Sequence, residues 1–147
     1  MIDRSFIGVE SEPRVTEVEK GQLKFFAKAT GETNPIYWDE EAARAAGYPT
    51  LPAPPTFAFS LHLGAPAKVG SIFDMGLDLR RIVHGEQAFT HHSMIYAGDT
   101  MTLTTSTVDI YEKKNGALDF IVQDTRAVNQ KGRLCVTMRT VIVIRNR

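Results

Sequence analysis

The sequence predicts an α+β domain in which an antiparallel sheet wraps around a buried central helix. Three observations lead there. Residues 57–63 carry Phe57, Ala58, Phe59, Leu61 and Leu63 and are apolar on nearly every side, the pattern of a helix buried all round. Residues 101–112, 118–128 and 134–144 alternate apolar and polar at the period of a strand. The links between them, Lys114-Asn115-Gly116 and Gln130-Lys131-Gly132, are hairpin turns. With 147 residues and no internal repeat, the chain is expected to be a single domain, residues 1–147.

The elements follow in order. Residues 14–18 alternate and read as a short strand. Leu23, Phe26, Ala27 and Thr30 then fall at helical spacing, with Gly31 as the stop. Thr16 and Glu19 also fit a capping box that would start this helix earlier, but Gly21 weakens such a first turn, which favours the strand. A second short helix has Asp39 as N-cap, Glu40 and Glu41 at its positive end, Arg44 at the other end and Gly47 beyond it. The prolines of residues 48–55 forbid regular structure. Thr56 can cap the apolar helix, which Gly64 and Pro66 weaken or end. A strand over residues 85–92 and a turn at Ala97-Gly98-Asp99 precede the three long strands. The edges of such a sheet need cover, so a dimer with a continuous sheet is expected.

Composition narrows the function. Lys plus Arg and Asp plus Glu stand at 17 each, and this balance argues against nucleic acid or an anionic membrane as the main partner. No apolar run approaches the ~20 residues of a membrane span, and the N-terminus lacks a signal-peptide pattern. The single cysteine, Cys135, fits a reducing compartment, so a cytoplasmic protein is expected. Cys135 has no activating neighbour and reads as a packed thiol. No metal-ligand spacing is present, and His91 and His92, adjacent on a strand, would face opposite ways. His62 on the apolar helix reads as a core residue. Phe57, Phe59 and Phe89 suit either a core or the lining of an apolar ligand tunnel. Arg80, Arg81, Lys113 and Lys114 suit either solvent or a ligand phosphate.

Five pieces in order carry a family resemblance. They are residues 25–37, which end in Gly31-Glu32-Thr33-Asn34-Pro35-Ile36-Tyr37; then Ala53-Pro54-Pro55-Thr56-Phe57; His84-Gly85-Glu86-Gln87; Ala97-Gly98-Asp99; and Asp109-Ile110-Tyr111-Glu112-Lys113. Together they resemble the MaoC-like dehydratase family of hot-dog proteins, in particular its N-terminal-domain type, which includes non-catalytic subunits of mycobacterial fatty-acid dehydratases. The resemblance implies a hot-dog fold and (3R)-hydroxyacyl-thioester dehydratase or enoyl hydratase chemistry. It further implies an acyl thioester of coenzyme A or acyl carrier protein as substrate, with no cofactor.

In active relatives the 31–37 segment runs Gly-Asp-x-Asn-Pro-hydrophobic-His, and its Asp and His activate one water. Glu32 and Tyr37 stand at those two catalytic positions here. A free Glu has a pKa of about 4.3 and serves as base only if burial raises it, while a phenol near 10 cannot alternate between base and acid as imidazole does. Glu32 and Tyr37 are instead expected to share a structural hydrogen bond, and Asn34 to cap its own turn. Relatives commonly have His-Gly where this chain has Pro54-Pro55, so two backbone donors are lost and the Thr56 or Phe57 amide is left to face a thioester carbonyl. His84 and Gly85 suit a bulge beside the ligand, or a structural histidine with its own partner.

The expected function is therefore a catalytically degenerate, substrate-binding subunit paired with a catalytic MaoC-like chain. Two alternatives stand beside it: an active homodimeric hydratase using Glu32, and a non-enzymatic acyl-thioester binding module. A hot-dog thioesterase fits less well, because residues 57–63 contain no acidic side chain.

Overall fold

The computed structural model describes residues 2–64 and 72–146. Five antiparallel strands form one sheet in the order β1-β3-β4-β5-β2. They are β1 (Arg14–Glu17), β2 (Ile82–His91), β3 (Thr100–Lys113), β4 (Leu118–Val128) and β5 (Leu134–Arg145), and β1 and β2 form the edges. This is the predicted α+β hot-dog architecture. The hairpin between β3 and β4 turns through three successive positive φ values, at Lys114, Asn115 and Gly116.

Helix α1 (Lys20–Ala29) ends where Gly31 takes φ +68°. Helix α2 (Glu40–Ala45) starts as its sequence dictates: Asp39 Oδ1 accepts from the Glu41 amide at 2.9 Å, and Gly47 follows at φ +93°. The proline-rich path before residue 57 is irregular, tied to the rest by Ala53 N–H donating to Ile95 O.

Two expectations need correction. The central segment Phe57–Gly64 is a 3-10 helix, and it is not buried all round. Its winding is set at the start, where the Phe57 amide donates to Pro54 O and the Phe59 amide to Thr56 O, both closing three residues back. Three residues per turn stack side chains in rows. Ala58 and Leu61 form a buried row, Phe59 and His62 a second, and Phe57, Ser60 and Leu63 a third that ends exposed, with Leu63 85% accessible. Pro66, the expected stop, lies outside the described residues.

Strand β2 begins at Ile82 and ends at His91, so His92 lies beyond it. The alternation there is masked by a bulge, because the pairing with β5 shifts between His84 and Glu86. Gly85 is the extra residue. A Cβ at Gly85 would lie 2.8 Å from Val143 Cγ2 and 3.1 Å from Val141 O. Gly85 thus serves close approach of β2 to β5. Gly85→Val is expected to cost about 2 kcal/mol by overpacking, read as a lower urea midpoint; an unchanged midpoint would remove this role.

The buried face of the sheet holds two apolar clusters. One packs Leu103, Ala127, Val136 and Met138 against Ala58 and Leu61. The other is built on Ile110, Ile121, Ile142 and Ile144. Between them runs a polar row of cross-strand partners, Thr107–Gln123–Thr140–Gln87, spanning four strands.

Candidate functional site

The 31–37 turn is locally determined. Glu32 Oε1 accepts from the amides of Thr33 (2.8 Å) and Asn34 (2.9 Å). Asn34 Oδ1 accepts from the Ile36 amide at 3.2 Å, and Pro35 opens the short 3-10 helix Pro35–Tyr37. Asn34 therefore caps its own turn as expected. Among the described residues no hydrogen bond joins Glu32 to Tyr37; the carboxylate turns onto its own backbone instead. Tyr37 is half-buried, and burial together with the Glu32 carboxylate raises its phenol above the usual value. At neutral pH Tyr37 is a protonated phenol, able to donate a hydrogen bond but not to take a proton from water.

Tyr37 lines a cavity of about 340 Å³ with Pro54, Pro55, Ala58, His91 and His92. The two histidines were expected to face opposite ways. They share this cavity because β2 ends at His91, and the His92 and Ser93 amides both fold onto Cys135 O. His92 Nε2 lies 3.1 Å from Thr137 Oγ1, and His91 stacks on Phe89 with ring centroids 6.1 Å apart. Their closeness to Tyr37 depends on how β2 ends, and no sequence signal marks it. Of the two candidate oxyanion donors, the Phe57 amide is committed to Pro54 O at 2.9 Å. This leaves the N–H of Thr56, an exposed residue.

The other expected site residues lie elsewhere. Glu32 borders a separate depression with Lys24, Lys28 and Trp38. Phe57 borders another, beside Phe25 and Leu63. His84 lines a third cavity with His62 and Phe59, and its Nε2 meets Glu86 O at 3.0 Å, so it has a structural partner. His62, expected in the core, lines that cavity as well. Arg80 is engaged by Asp78 with two contacts of 3.0 Å, and Lys113 sits over the rings of Tyr111 and Phe120. The Cys135 thiol is buried, and that burial, with Asp99 nearby, pushes it up, away from the reactive thiolate. Among the described residues no three His, Cys, Asp or Glu side chains gather as a metal site, and no helix is long and apolar enough to cross a membrane.

Residues 5–138 match the family described as the FAS1-like dehydratase domain region. The chain belongs to the MaoC-like hot-dog dehydratase family. Within it, the chain is 37% identical over 145 residues to a UPF0336 protein of Saccharopolyspora erythraea, covering 98% of this chain and 92% of that one. Among solved structures it is similar to the HadBC (3R)-hydroxyacyl-ACP dehydratase complex of Mycobacterium tuberculosis, with 26% identity, a TM-score of 0.75, and 94% and 96% of the two chains covered. The MaoC-like dehydratase of Rhodospirillum rubrum shares the fold at 21% identity and a TM-score of 0.70, with coverage of 96% and 93%. The hot-dog assignment thus accounts for the sheet order and the central segment. At the two catalytic positions and the entry to the central segment, this MaoC-like chain carries Glu32, Tyr37 and Pro54-Pro55.

Proposed function

We propose that this chain is the substrate-framing, catalytically degenerate subunit of a heteromeric (3R)-hydroxyacyl-thioester dehydratase. Its substrate would be an acyl thioester of coenzyme A or acyl carrier protein. The observation that carries this reading is the state of the two catalytic positions: Glu32 Oε1 accepts from the amides of Thr33 and Asn34, and Tyr37 is held as a protonated phenol. Hydration needs a base for water and an acid for the α-carbon, and neither residue is poised for both roles. Similarity to a dehydratase that is a complex of two kinds of chain supports the partnership. The ten-residue edge strand β2 is unpaired on one side in the single chain, which suits a second hot-dog chain continuing the sheet.

In this reading the partner's Asp and His activate the water. This chain supplies the wall around Pro54, Pro55 and Ala58, with the Thr56 N–H as a donor near it. Affinity purification of the chain from its native host is expected to recover a second MaoC-like chain bearing Gly-Asp-x-Asn-Pro-x-His. Recovery of a homodimer alone would overturn the proposal.

A further inference from the structure

The polar row of the sheet is energetically unusual. Side chains at these positions face the buried side, where an unsatisfied polar group is costly. Here they are paired: Gln123 Nε2 donates to Thr107 Oγ1 at 3.3 Å and Thr140 Oγ1 to Gln87 Oε1 at 2.8 Å, while the next pair along, Thr105 and Thr125, joins its hydroxyls at 2.8 Å. Gln123, Thr125 and Thr140 line a cavity of about 340 Å³, within the range of about 300–1,000 Å³ typical of small-molecule sites. This cavity shares no lining residue with the one at Tyr37.

Its walls are of two kinds. Arg14 from β1 and His62 from the central segment line it, with Arg14 Nη2 2.9 Å from His62 Nδ1. A guanidinium only donates, so Nδ1 accepts, and a neutral His62 carries its proton on Nε2 as a further donor. Burial, then the Arg14 charge, lowers the His62 pKa to about 4, which agrees with a neutral ring. Among the described residues no carboxylate forms an ion pair with Arg14; Glu12 stands at the exposed rim. Apolar side chains line it too: Phe59, Ile72, Ile82 and Ile142. The Phe59 ring lies 5.2 Å from that of His84 and 6.2 Å from that of His62.

We infer that this cavity binds an amphipathic carboxylate, such as a medium-chain fatty acid, with its head at Arg14 and His62 and its chain against Phe59, Ile82 and Ile142. One guanidinium with neutral donors matches a single negative charge, and the apolar walls disfavour a small, fully hydrated anion. The inference does not depend on the proposed dehydratase role.

Titration calorimetry of the full chain with sodium octanoate and with 1-octanol tests it. Octanoate is expected to bind saturably, and the alcohol at least about tenfold more weakly. Arg14→Gln is expected to erase that preference and Arg14→Lys to keep part of it. In histidine side-chain NMR spectra the His62 resonances are expected to move on adding octanoate while those of His91 and His92 stay. No binding, equal binding of acid and alcohol, or shifts at His91 and His92 alone would overturn the proposal. If Arg14→Gln does not fold, the wild-type comparison of acid with alcohol and the histidine shifts still decide.

Discussion

Leu103→Ala is expected to cost the fold about 3–4 kcal/mol. Leu103 is 1% exposed and lies in the cluster that packs the sheet against the central segment. Its β4 partner is Ala127 and its β1 partner is Arg14, so the strands beside it offer no large apolar side chain to fill the gap. The loss is therefore both the transfer energy of the deleted atoms and a persistent cavity. Leu103→Met, which nearly conserves volume, should cost less than about 1.5 kcal/mol. Urea unfolding of the three proteins checks this. Equal midpoints for the alanine variant and the wild type would show that this face is not the core.

The second large effect is expected at low pH. His62 has a pKa near 4 in the folded chain, against 6.5 for the free side chain. The unfolded state therefore binds more protons between those values, and stability falls as pH drops from 6.5 towards 4. The full contribution, present above the upper value, is roughly 3 kcal/mol. Other carboxylates also titrate in this range, so the informative quantity is a difference. His62→Gln keeps an acceptor for Arg14 and does not titrate. Between pH 7 and pH 4 the wild type is expected to lose roughly 3 kcal/mol more than this variant. Parallel losses in the two proteins would place His62 in water.

Much of this fold is legible in the sequence because its signals are local. Asp39 and Gly47 bracket α2 by capping chemistry alone, and Lys114-Asn115-Gly116 specifies a left-handed turn. The strands β3, β4 and β5 show themselves by alternation. The winding of residues 57–64 is not legible, since a run apolar on every side shows no period to separate a 3-10 helix from an α-helix. The start of β2 is hidden by the bulge at Gly85, which breaks the alternation that would reveal it. The polar row does leave a signal: Gln123, Thr125 and Thr140 occupy positions in phase with Ile121, Ala127 and Ile142, where apolar residues are expected.

The site divides along the same line. The ordered motif pieces identify the family, and Asn34 performs the local role that its sequence suggests. The Glu32 carboxylate accepts from the amides of Thr33 and Asn34, a turn onto its own backbone that the residue type alone does not reveal. The grouping of Tyr37 with His91 and His92 is tertiary, created by the turn after β2.

The central claim is that this chain does not activate water by itself. Hydration of crotonyl-CoA by the purified chain, alone and mixed with the proposed MaoC-like partner, is the decisive measurement. No turnover is expected from the chain alone, with turnover in the mixture and the same turnover when Glu32→Gln replaces the wild type. Turnover by the chain alone that Glu32→Gln abolishes would contradict it.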